Sequence, residues 1–257
     1  MHWSTRYVAV GGSILALALA GCGSSGPTGS DPPPEPGSSA SGGSGLPRGS
    51  EPANLDPAQF TTRIDNPYWP LAPGSKWVYR EVENGVVQRV EVTVTDQTKV
   101  VDGVTARVVH DVVTTHGQPV EKTFDWYAED SAGNVWYLGE DTKEYDNGKV
   151  VSTAGSWEAG VGRAEAGVIM PAHPEVGLSY RQEYDPGNAE DRARVTSVGG
   201  QAKVPFGSFD AVLQTTDVNP LETNFVEHKY YAKGVGPVET IQVSGGKAHE
   251  QLISYRR

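Results

Sequence analysis

Residues 125–141 read DWYAEDSAGNVWYLGED. Two aromatic pairs and five carboxylates fall within this one stretch. Asp125, Tyr127 and Glu129 alternate with Trp126 and Ala128, and the same period resumes in NVWYLGE. Successive side chains of a strand point to opposite faces, so each flank reads as a strand. Ser131, Ala132, Gly133 and Asn134 lie between them, and Gly and Asn suit the positive φ of a tight turn. The stretch is therefore expected to be a β-hairpin, with its carboxylates on a solvated strand face.

The alternation spreads outward. QRVEVTVTD (88–96) sets Val90, Val92 and Val94 against Arg89, Glu91, Thr93 and Thr95, a strand with one buried side. VTARVVHDVV (104–113) is Val-rich on both faces, as a central strand would be. Turn signals recur at Asn84-Gly85, Asp102-Gly103, His116-Gly117 and Asn147-Gly148. Short strands between such turns indicate antiparallel all-β architecture. No long amphipathic helical pattern exists; short helices are expected at 55–62 and 156–166.

The chain also aligns with itself. Gly74-Ser75-Lys76-Trp77 matches Gly177-Leu178-Ser179-Tyr180, and GVTARVV (103–109) matches GSFDAVL (207–213). Trp126-Tyr127-Ala128 returns as Tyr230-Tyr231-Ala232. The pseudo-repeats cover about 74–141 and 177–243, separated by a Gly-rich crossover at 150–176. Neither has the apolar content to close a core alone, so the two are expected to share one. The fold class that follows is all-β: an antiparallel, strongly curved sheet or (half-)barrel of two similar halves, forming a single domain over 55–257.

The N-terminus carries different information. Residues 1–21 show a short head with Arg6, an apolar run and small residues, the layout of a secretion signal. Leu19-Ala20-Gly21-Cys22 resembles a bacterial lipobox, which implies cleavage between Gly21 and Cys22 and acylation of Cys22. Two or three acyl chains would hold the protein firmly on the outer side of the cell membrane, where a single chain binds marginally. Residues 22–54, rich in Gly, Ser and Pro, are expected to form a disordered tether with a reach of roughly 30 Å.

The bulk charge and the motifs exclude more than they assign. A net charge of −11 without a basic run argues against nucleic acid. Asp130-x-x-Gly133-Asn134-x-Trp136 looks like a β-propeller blade turn, but it occurs once. The acidic run does not meet the spacing of an EF-hand loop. Histidines 110, 116, 173, 228 and 249 show no metal-site spacing, and no nucleophile elbow, dinucleotide turn or P-loop is present. No metal, cofactor or catalytic residue is assigned. A carboxylate pair for glycoside hydrolysis stays open as a minor alternative. Aromatic residues on strands are the better clue to a ligand: Trp77, Tyr79, Trp126, Trp136, Tyr180 and Tyr230 could line a pocket.

IDNPYWPLAPGSKWVYR (64–80), residues 125–160, RQEYDPGNAED (181–191) and EHKYYAKGVGPVET (227–240) together resemble a family of uncharacterised secreted and lipid-anchored bacterial proteins. That resemblance covers nearly all of the expected domain and implies no activity or site residues. At the level of fold, an acylated curved sheet is similar to LolA/LppX-type envelope lipoproteins, which carry lipids or lipoproteins. The expected function is a non-enzymatic envelope protein that binds an amphiphilic or lipid-like ligand in a β-sheet groove or cavity. The alternative is an interaction module that binds protein or glycan through exposed aromatics.

Overall fold

The structure, a computed structural model, describes residues 45–222 and 224–257. The expected signal sequence, Gly21, the expected acylation site Cys22 and most of the expected tether lie outside the described residues. The strands are β1 (Phe60–Thr61), β2 (Lys76–Glu83), β3 (Val86–Val101), β4 (Val104–Thr115), β5 (Gln118–Asp130), β6 (Val135–Asp146), β7 (Lys149–Ser152) and β8 (Trp157–Glu158). They continue as β9 (Glu165–Met170), β10 (Ser179–Arg181), β11 (Glu183–Tyr184), β12 (Arg192–Val204), β13 (Gly207–Val218), β14 (Val226–Ala232), β15 (Gly236–Ser244) and β16 (Ala248–Arg256).

Thirteen of them form one antiparallel path, β10-β12-β13-β14-β15-β16-β2-β3-β4-β5-β6-β9-β11. The path curls into a barrel that is nearly closed, with one seam. The hairpin turns follow directly from their residues. Asn84-Gly85, Asp102-Gly103, His116-Gly117 and Asn147-Gly148 have positive φ at both central positions, the twist that matches two-residue hairpins.

Two expectations are corrected. The helix at 55–62 is a single 3₁₀ turn, Pro57–Gln59, whose Asp56 side chain caps the Ala58 N–H at 3.1 Å. The helix at 156–166 is absent: β8, turns and the start of β9 occupy this run. Gly160 and Gly162 there have φ of 79° and 63°, a backbone no right-handed helix contains.

One run of chain borders both edges of the unsealed seam. Residues 179–181 pair with β12 and residues 183–184 pair with β9, so the segment changes partner at Gln182. β9 approaches it so closely that a Cβ on Gly167 would stand 2.1 Å from the Gln182 carbonyl oxygen. Arg181 locks the crossing from within. Its Nε and Nη2 donate to the Ala166 carbonyl, and its Nη1 donates to the carbonyls of Gly49 and Glu51. The Arg181 N–H donates to Pro47 O at 2.7 Å, and the Ala53 N–H donates to Glu165 Oε2 at 2.9 Å. Residues 46–54, which the sequence places in a disordered tether, thus lie on the barrel.

A second run of chain is the strap IDNPYWPL (64–71). Asn66 Nδ2 donates to the carbonyls of Gly133 and Pro171, at 3.0 and 3.1 Å, and its Oδ1 accepts from Tyr68 N–H. Glu129 Oε2 accepts the N–H groups of Asp65 and Asn66. These bonds drive Trp69 into the barrel end, 5.8 Å from the Tyr127 ring and 6.0 Å from Tyr231. Tyr127 and Tyr231 are the residues that the internal alignment pairs, and they grip the same indole. Tyr127 stacks on Tyr137 at 4.7 Å, and Trp77 and Tyr79 complete a fully buried aromatic half.

Candidate functional site

The other half of the barrel interior is polar, and the strand register shows why. Residues directly opposite in an antiparallel pair point to the same face. Lys229 of β14 faces Thr215 of β13 and Thr240 of β15. Thr240 faces Glu250 of β16, and Glu250 faces Glu81 of β2. Asp217 faces Glu227 one step further along. After the apolar strand β3, Asp111 of β4 faces Thr123 of β5, and Val113 faces Glu121. Asp125 faces Glu140 of β6, and Thr123 faces Thr142. Glu183 and Asp191 close the girdle at the seam, where the Glu183 N–H donates to the Asp191 carbonyl. On strand after strand the inward row changes from apolar or aromatic to charged: Tyr231 to Lys229, Tyr79 to Glu81, Tyr127 to Asp125. The acidic half therefore lies toward the Asn84-Gly85, His116-Gly117 and Asn147-Gly148 turns.

Among the described residues, ten buried carboxyl groups (Glu81, Asp111, Glu121, Asp125, Glu140, Glu183, Asp191, Asp217, Glu227 and Glu250) thus share an interior with one ammonium, Lys229. The carboxylates of 125–141 were expected on a solvated face, and this is overturned for Asp125 and Glu140, which are at most 1% exposed. Period two identifies which residues share a face, but not which face the sheet encloses.

Electrostatics follow from this crowding. Lys229 Nζ lies 2.9 Å from Asp217 Oδ2 and 3.7 Å from Glu227 Oε2. Burial opposes its charge, but Asp217, Glu227 and Asp191 outweigh burial and raise its pKa. Burial, then the Asp125 charge, pushes Glu140 well above the usual carboxylate range. Burial, then Asp191 and Glu140, does the same to Glu183. Asp191 is pushed up to about 7, by burial against the pull of Lys229. The Tyr137 hydroxyl donates to Asp125 Oδ1 at 2.7 Å and also reaches Glu140 Oε2. One O–H cannot serve two carboxylates fully, so the trio is best satisfied with Glu140 protonated.

Some polar atoms here have no hydrogen-bond partner among the described residues. Thr240 Oγ1, held between Lys229 and Glu250, is one; Tyr180 Oη, whose neighbours include Tyr231 and Asp217, is another. A buried hydroxyl left so costs about 1–3 kcal/mol. Among the described residues, no group of three or more His, Cys, Asp or Glu side chains is placed to hold a metal ion. The carboxyl groups stand around the barrel wall and do not converge on a point.

The six aromatics expected to line a pocket do not converge. Trp77 and Tyr79 are core; their Nε1 and Oη donate to the carbonyls of Val235 and Pro237. Trp126 lies on the outside of β5 with its ring face covered by Lys99 Nζ, 3.3 Å from the centroid. Trp136 packs edge-on against Phe60, and Tyr230 lies half-buried opposite Glu239. Tyr180 lies at the seam, and Trp126 lines a separate outer cleft with Lys99, Trp157 and Glu158.

The turn at 130–136 is architecture. Asp130 Oδ1 accepts the N–H groups of Ala132 and Asn134, and Oδ2 accepts from Asn134 Nδ2 and Trp136 Nε1, all at 2.8–2.9 Å. No family model, curated protein or solved structure matches the chain.

Proposed function

We propose that this is a non-enzymatic binding protein of the bacterial envelope, anchored through acyl chains on Cys22, which holds a small organic cation in the acidic half of its barrel. The observation that carries this reading is the girdle of ten carboxyl groups around one lysine, with the Thr240 hydroxyl unused in its wall. An ammonium attracts fixed carboxylates more strongly in a desolvated interior than in water, and that attraction offsets the cost of leaving water. The amphiphile expected from the sequence is less well served inside the barrel, because the aromatic half is packed ring on ring. Recognition through exposed aromatics has one candidate patch, where the exposed Phe206 packs on Phe209 and Tyr255, but it carries no charged or hydrogen-bonding cluster comparable to the girdle.

The test is calorimetric titration of the mature chain with putrescine and spermidine at pH 7.5, beside succinate as the anionic control. Saturable binding of the amines is expected, weakened at least tenfold by Glu250→Gln and strengthened or unchanged by Lys229→Met. Absence of amine binding in a folded protein, or binding indifferent to Glu250→Gln, overturns the reading.

A further inference from the structure

A second cavity lies on the outside of the barrel, beside the seam, and its chemistry is the reverse of the interior. It has a volume of about 530 Å³ and a mainly apolar lining, within the size range of small-molecule pockets. Its floor is β12 and β13 and its wall is the approach to β10, residues 176–180. Val176 and Val218, both exposed, are its apolar sides, and the Tyr180 backbone edge closes it toward the seam.

Three guanidinium groups surround this apolar floor: Arg48, Arg192 and Arg194. The register explains two of them. Arg192 pairs with Val218, and Arg194 with Thr216, so both project from the outer face while Ala193 and Val195 project inward. Arg48 arrives because the Arg181 N–H holds the neighbouring Pro47 carbonyl. Among the described residues no Asp or Glu lines the cavity. None of the three arginines makes an ion pair with a described residue, although carboxylates outnumber bases in the chain by 32 to 21. A concentration of unneutralised guanidinium on an acidic protein, placed around an apolar cleft, is complementary to a molecule with one anionic head and one hydrocarbon tail.

We infer that this groove binds a single-chain anionic amphiphile, a fatty carboxylate, with the tail against Val176 and Val218 and the head at Arg192 and Arg194. A purely ionic ligand would leave the apolar floor wet. A flat bilayer surface would not enter a concave cleft. Guanidinium is suited to the head because its fork matches both carboxylate oxygens. The inference is independent of the cation site within the barrel, since the residues of the two sites point to opposite faces of the sheet.

The experiment is titration of the mature chain with dodecanoate, with dodecanol and dodecyltrimethylammonium as controls of equal tail length. Dodecanoate is expected to bind one to one and at least tenfold more tightly than either control. The double variant Arg192→Gln/Arg194→Gln is expected to lose that preference, and Val176→Asp to weaken dodecanoate at least tenfold. Both changes are at solvent-facing positions, and an unchanged melting temperature with an unchanged near-ultraviolet circular dichroism spectrum shows that fold and interior are intact. Equal binding of the three amphiphiles, or a double variant that binds dodecanoate as before, overturns the inference. So does sedimentation with phosphatidylglycerol vesicles in the absence of dodecanoate binding, which would assign the arginines to a membrane surface.

Discussion

Arg181 reaches across the seam to Ala166: its Nε and Nη2 both donate to that one carbonyl, at 3.1 and 2.8 Å. The same side chain holds the carbonyls of Gly49 and Glu51, so one residue fixes two edges of the barrel and the incoming chain. Replacing it by Met keeps its length and removes every donor. Arg181→Met leaves the carbonyls of Ala166, Gly49 and Glu51 without this donor and is expected to cost about 3 kcal/mol, at about 1–3 kcal/mol for each that stays buried and unpaired. Urea unfolding measures this, and limited proteolysis should find residues 46–54 newly cleavable. Unchanged protection of that segment would refute the role.

Gly167 permits the closest backbone approach at the seam, 2.1 Å from a would-be Cβ to Gln182 O. Gly167→Ala must push β9 away from residues 182–183. A loss of about 3 kcal/mol is expected, read as a fall in melting temperature. Gly148→Ala is the control: its φ of 76° is strained, but nothing lies within 4 Å of its Cβ, so a smaller loss is expected.

Asn66 satisfies two carbonyls and one N–H inside the strap. Asn66→Ala orphans all three and is expected to cost on the order of 3 kcal/mol. Trp69 then loses its seat, and its fluorescence emission should shift to longer wavelength before global unfolding.

The buried acids set an unusual pH dependence. Asp191 ionises near 3.8 when unfolded and about 7 when folded; Glu140 and Glu183 are raised in the same direction. The folded state therefore holds more protons between about 4 and 7, and stability falls as pH rises through that window. His110, lowered by burial, works the opposite way at the acidic end, but it is only half-buried. The melting temperature is expected to be higher at pH 5 than at pH 8, and Asp191→Asn should flatten the difference. A melting temperature that rises from pH 5 to pH 8 in the unsubstituted protein contradicts this ordering.

The parts of the fold visible in the sequence were those with local causes. Asn84-Gly85 and Asn147-Gly148 specify their turns alone, and Val90, Val92 and Val94 specify one face of β3 alone. What the sequence left hidden depends on residues far apart. Strand β16 carries no strong alternation, yet it joins β15 to β2 and makes the path continuous. Asp125 and Glu140 look solvated by composition and are enclosed because the sheet curls around them. A signal did exist in part: Glu227, Lys229 and Tyr231 share one face of β14, and a core tyrosine on that face draws the charges inward with it. The groove gave no signal, since Arg48, Arg192 and Arg194 become neighbours only after Arg181 has docked the chain at Pro47.

That docking also has an order in time. The Glu51 carbonyl and the Arg181 side chain that holds it are 130 residues apart, and Arg181 is positioned only when β9 and β12 flank it. Residues 46–54 are thus synthesised ahead of everything they rest on and are fastened after most of the barrel has been made. Docking of this segment beside the seam is a long-range event of the kind that slows folding.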